Sequence, residues 1–150
     1  MKIILDENTG RLYRSADPLQ EWTALQLILG TQEPIELHLV TIAGETVTYQ
    51  NYNDPVITTR LDIGHAQGDP PLAGTSLGNQ IGSGTEGDPR RFTGTFSLDQ
   101  IELIQALAGK ERATLRLQIS IEDEGLPMPN PYRHLAQVPI TILNTVVPIT

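Results

Sequence analysis

A chain of 150 residues with 39% hydrophobic residues has the length of one domain, enough to bury roughly 70% of its unfolded surface without staples. The absence of cysteine excludes disulfides, thiolate metal sites and a cysteine nucleophile, and fits synthesis in the cytoplasm. A net charge of −8, with only ten scattered Lys and Arg, argues against nucleic acid as a partner, because neutralising phosphates takes clustered basic residues.

The opening Met1-Lys2-Ile3-Ile4-Leu5 meets Asp6 and Glu7 at once, too soon for a signal peptide. It reads as a first strand over 2–6. Asn8-Thr9-Gly10 is turn chemistry leading to Leu12 and Tyr13, so residues 1–20 form either a hairpin or an N-terminal arm laid on a neighbour. Residues 15–20 read as a polar link. The apolar stretch 19–29 fits strand or helix, and its periodicity does not decide. Over 34–42, Ile35, Leu37, Leu39 and Thr41 alternate with Glu36, His38 and Val40, and Ala43-Gly44-Glu45 turns the chain into a strand at 46–49. A loop at 51–55 leads to 56–63, where Ile57, Thr59, Leu61 and Ile63 share a face.

From 64 to 90 the character changes to a long glycine-rich loop. Leu72, Leu77 and Ile81 are its only large aliphatic anchors. Ordering a residue costs roughly 1–2 kcal/mol of backbone entropy, so the segment is expected to be mobile or fixed by another chain. Residues 92–96 are a strand. Ser97 and Gln100 then make a capping-box pattern for a helix at Leu98–Ala108, with Leu98, Ile101, Ile104, Leu107 and Ala108 as its apolar face. Gly109 stands where a left-handed residue ends a helix. Residues 113–122 alternate strictly, with Leu115, Leu117, Ile119 and Ile121 on one side. A proline-stiffened loop at 123–133 precedes the closing strand, 137–147. There Pro139, with Pro148 just beyond, points to an edge position or to strand ends, since proline donates nothing to a ladder. About eight short strands and one helix predict a mainly β, antiparallel β-sandwich in a single domain spanning 1–150. No apolar run approaches the roughly 18–20 residues of a membrane span.

Several motifs invite chemistry, and each has a plainer reading. Gly82-Ser83-Gly84-Thr85-Glu86-Gly87 fits G-x-G-x-x-G, but that fingerprint needs a strand before it and a helix after it. Gly74-Thr75-Ser76-Leu77-Gly78 fits the nucleophile elbow, with His134 the one later histidine to serve as base; neither flank offers the strand-to-helix turn that the elbow needs. Glu36 and His38 share a strand face and supply two metal ligands where three or four are needed, so a solvated face is the better account. His65 has no companion. Glu122-Asp123-Glu124-Gly125 has the charge of a calcium loop without its ligand spacing. Trp22, Tyr13, Tyr49, Tyr52 and Tyr132 suit sugar stacking, core packing or subunit contact alike. No catalytic, cofactor-binding or metal residue is assigned from these patterns.

One longer arrangement carries a resemblance. Phe92-Thr93-Gly94-Thr95-Phe96-Ser97-Leu98, then Ile104-Gln105-Ala106-Leu107-Ala108-Gly109, then Leu115-Arg116-Leu117-Gln118-Ile119, and last Gln137-Val138-Pro139-Ile140-Thr141-Ile142-Leu143-Asn144 resembles structural modules of bacteriophage and prophage tails. It is similar to the N-terminal domains of baseplate and fibre-associated proteins, although the chain stops at Thr150 where those lead on into a fibre. The resemblance implies a non-enzymatic virion component, made in the bacterial cytoplasm, that assembles with itself, as a trimer, and with neighbouring virion proteins. A capsid decoration protein and a carbohydrate-binding sandwich module are the alternatives, and a small hydrolase using Ser76 is a third.

Overall fold

In a computed structural model, residues 1–50, 57–65, 69–78, 80–85, 87–123 and 132–145 are described. They form eleven strands and one helix in the order β1 (Lys2–Asp6), β2 (Leu12–Ala16), β3 (Leu19–Glu21), β4 (Gln26–Ile28), β5 (Gln32–Ala43), β6 (Thr46–Tyr49), β7 (Ile57–Gly64), β8 (Ala73–Ser76), β9 (Phe92–Ser97), α1 (Ile101–Ala106), β10 (Arg112–Asp123) and β11 (Tyr132–Leu143). The first sheet runs β3-β2-β1-β5-β6, with β9 also paired to β5; the second runs β4-β11-β10-β7-β8. Both contribute to one apolar core: Ile3, Leu5, Leu37 and Phe96 from the first, Leu61, Leu117, Ile119 and Ile142 from the second, each at most 2% exposed. The architecture is a mainly β sandwich, with eleven strands where about eight were expected.

The sheets are mixed and not purely antiparallel. β1 lies parallel to β5, and β4 parallel to β11. An alternating strand looks the same in either orientation, so only the crossover made by the intervening chain sets the direction. The pairing also settles the N-terminus. β1 and β2 form a hairpin, and β1 sits between β2 and β5 with Ile3, Ile4 and Leu5 wholly buried. Residues 2–6 are thus an interior strand, not an arm. The turn is built by Asp6, which accepts from the backbone N–H of Asn8 at 3.0 Å and from Thr9 Oγ1 at 2.9 Å. The link at 15–20 becomes the β2–β3 hairpin, and the undecided stretch 19–29 becomes β3 and β4, with no helix.

The helix is shorter than expected and shows another face. It covers Ile101–Ala106, and Ser97 does not cap it. Ser97 ends β9 and donates its hydroxyl to Gln32 Oε1 at 2.6 Å. Leu98 remains in extended company, its N–H bonded to Thr31 O and its carbonyl to Gly30 N–H. Leu98, Leu103 and Leu107 are fully buried, whereas Ile101 is 63% and Ile104 43% exposed. The expected stripe at Ile101 and Ile104 therefore faces outward. Leu98 is anchored before the first turn, and that anchor rotates the helix. Gly109 does adopt a left-handed φ of 75°.

The glycine-rich stretch 64–90 is not structureless. It contains β8, which pairs antiparallel with β7, and Leu77 is 1% exposed. Backbone partners supply what the few aliphatics cannot: Leu77 N–H bonds Thr59 O, and Gly78 N–H bonds Thr93 O. Leu77 enters the core because Gly94 leaves room; a Cβ there would stand 2.9 Å from Leu77 Cδ2. The free edge of β8 is closed by a side chain. The Gln100 carboxamide accepts from Gly74 N–H at 3.1 Å and donates to Gly74 O at 3.2 Å, imitating the next strand. The same amide donates to Ser97 O at 2.8 Å. β11 likewise begins earlier than expected, at Tyr132, because β10 offers it a partner along nearly its whole length.

Candidate functional site

The outer face of the first sheet is where polar side chains converge. The even-numbered residues of β5, Glu36, His38 and Val40, face away from the core. Even so, His38 is 3% exposed and Val40 fully buried, so this face is covered and not solvated as expected. Gly87, Asp88, Pro89 and Arg91 lie beside it, around the same basin as Glu36 and His38. Arg91 reaches Glu36 Oε1 at 3.3 Å through Nε, while its Nη1 holds Asp88 Oδ1 at 2.8 Å and Pro89 O at 3.0 Å. Lys2, Glu36, His38, Tyr49, Asp88 and Arg91 border a basin of about 330 Å³. Tyr49 meets the His38 ring edge-on, 5.6 Å between centroids.

Electrostatics fix the protonation of this pair. His38 Nε2 lies 3.1 Å from Glu36 Oε2. The hydrogen bond from His38 holds the Glu36 carboxyl below its usual range, so Glu36 is an anion that only accepts. Nε2 must then carry the proton. Burial pushes the His38 pKa down despite the opposing pull of Glu36, leaving a neutral ring whose Nδ1 is a buried acceptor with no partner among the described residues. The arrangement acts as a latch: Glu36 fastens to Arg91 on one side and His38 on the other, tying Arg91, and through it Asp88, to β5. Among the described residues, no group of three or more His, Asp or Glu is placed to hold a metal.

The glycine fingerprint forms part of that latch. Isolated bridges pair Ile81 with Arg91 and Thr85 with Asp88, so the motif is a small hairpin, and Glu86 lies outside the described residues. Its amides face inward to Asp88. Ser83 N–H bonds Asp88 Oδ2 at 2.9 Å, and Gly84 N–H bonds Asp88 O at 2.9 Å. The Asp88 carboxylate, held low first by Arg91 and then by Ser83, occupies the position a phosphate would need.

Ser76 and His134 do not meet. Ser76 pairs with Arg60, Arg60 with Ser120, and Ser120 with His134. Three strand spacings separate the two backbones, about 14 Å, whereas a base must come within roughly 3 Å of its nucleophile. Ser76 instead accepts from Arg60 Nη1 at 3.3 Å. The side chains of His134 and Tyr132, the whole of Tyr52, and Glu124 and Gly125 of the acidic turn lie outside the described residues. His65 is exposed beyond β7. Trp22 is half-buried, donates from Nε1 to Lys2 O at 3.2 Å, and borders a second cavity of about 390 Å³ between the sheet edges. Sequence reasoning missed Arg91 as the partner of Glu36, and its only trace was an arginine flanking the glycine run. No helix among the described residues is long and apolar enough to cross a membrane. No protein-family model and no curated protein matches the chain.

Proposed function

We propose that this chain is a non-enzymatic structural protein of a bacteriophage or prophage particle, a tail or baseplate component made in the bacterial cytoplasm. It assembles with itself, as a trimer, and with neighbouring virion proteins. What carries the reading is one stretch of sequence. The residues bearing the tail-module resemblance form β9, which joins the first sheet on β5, then α1, and then the β10–β11 pair of the second sheet, a long antiparallel ladder with an apolar inner face. Such a unit supplies rigidity. Its outer surface also leaves isoleucines uncovered, Ile101 and Ile104 one helical turn apart, and exposed aliphatic clusters commonly mark protein contacts.

Native mass spectrometry of the purified protein, alone and co-expressed with the products of adjacent genes, tests this. A trimer, or a defined complex with one of those products, is expected, and Ile101→Asp with Ile104→Asp should dissociate it. A chain that stays monomeric at every concentration and joins none of its genetic neighbours would overturn the proposal.

A further inference from the structure

The cavity beside Trp22 opens where the two sheets part. The β1–β2 turn and β2 wall it on one side, the segment from Glu21 to Leu25 on another, and β11 closes the third through Pro139 and Thr141. Its volume of about 390 Å³ falls at the small end of the roughly 300–1,000 Å³ typical of ligand sites. Arg11 and Glu21 both border it and are exposed. Neither side chain has a hydrogen-bond or ion-pair partner among the described residues, and they do not pair with each other.

We propose that this cleft binds a neutral sugar, one or two rings in size, stacked on Trp22 and held between Arg11 and Glu21. Three properties of the walls select that class. An arginine only donates and a carboxylate only accepts, whereas a sugar hydroxyl does both. A singly charged ligand meets one like and one opposite charge in the cleft, so its charge brings no balance of attraction there, and an anion also meets a net protein charge of −8. The half-buried indole offers a flat apolar surface for the C–H face of a pyranose.

The remaining alternative, an extended peptide added to the open edge of β11, is opposed by Pro139. Thr141 N–H points toward β4, bonding Leu25 O at 2.9 Å. Alternation along the strand therefore aims the nitrogen of residue 139 the same way, and there proline has no hydrogen to give. The edge is blunted just where the cleft exposes it. A sugar needs no ladder and is unaffected.

The test uses the fact that Trp22 is the only tryptophan, so emission excited beyond the absorption of the four tyrosines reports on Trp22 alone. Glucose, galactose, mannose, N-acetylglucosamine and their disaccharides are titrated while emission is followed, with saturation-transfer NMR as a second readout. At least one should give a saturable emission change and a transfer signal. Arg11→Ala and Glu21→Ala, both exposed, should keep the melting temperature and weaken binding at least about tenfold, the loss of one charge-assisted hydrogen bond. Trp22→Ala should abolish the transfer signal. No binding by either readout, binding that survives all three substitutions, or an emission change driven by protein concentration alone (a second copy in the cleft) would each overturn it. Sugar binding neither requires nor excludes a trimer formed away from the cleft, so its failure is separable from failure of the virion proposal.

Discussion

The β10–β11 hairpin and the segment from β8 to Arg91 sit in one domain and are held by opposite means. The hairpin is held by side chains. Leu115, Leu117, Ile119 and Ile121 from β10, with Ile140 and Ile142 from β11, are all at most 3% exposed on one face, and burying one such residue is worth about 1.5–3 kcal/mol. The β8–Arg91 segment offers few large side chains. It is held by its own backbone, by room left at Gly94, and by polar groups lent from distant positions: Gln100 to Gly74, Glu36 to Arg91. The contrast teaches that a glycine-rich stretch can be fixed without an apolar face, provided other elements supply hydrogen-bond partners and space.

Breaking each region should therefore cost different amounts for different reasons. The largest loss is expected in the hairpin: Leu117→Ala removes a side chain 2% exposed and should cost about 2–5 kcal/mol in urea unfolding. A loss below about 1 kcal/mol would show that the ladder is not the centre of the core. Next comes Gly94→Ala, whose Cβ would press on Leu77 at 2.9 Å; overpacking should cost about 1–3 kcal/mol. The comparison sharpens in a double-mutant cycle with Leu77→Ala, where the Gly94 penalty should vanish. Purely additive effects would place the strain elsewhere.

Gln100→Ala strips both hydrogen bonds from Gly74 and should cost about 1–2 kcal/mol, whereas Ser97→Ala, at an exposed hydroxyl that caps no helix, should fall within about 0.5 kcal/mol. Thermal melts giving the reverse order would restore the capping box. The smallest effect is in pH. His38 has a folded pKa below its ordinary 6.5 because burial favours the neutral ring. The unfolded chain thus binds the proton first, so this contribution is complete above about 6.5 and is lost as pH falls toward the folded value. Glu36, also lowered, adds a loss in the same direction at more acid pH. His38→Phe should flatten the stability profile between neutral and mildly acid pH, and an unchanged slope would show that His38 is not the group responsible.

Periodicity alone located the inner faces of β5, β7 and β10, since an alternating apolar pattern has only one way to face a core. The turns at Gly10, Gly44 and Gly109 were equally legible, each adopting a positive φ that glycine meets without a Cβ clash. The candidate basin was half legible: Glu36 and His38 shared a face on paper, but the arginine that binds Glu36 comes from the far side of the glycine run. Local sequence pointed the wrong way on the orientation of β1 against β5 and on the start of α1, and it left undecided the closure of β8 by Gln100 and the roughly 14 Å between Ser76 and His134. Each depends on which distant strand lies alongside. That choice is made by the packing of two sheets around one core, because a residue's pattern states what it must bury and not which partner will bury it.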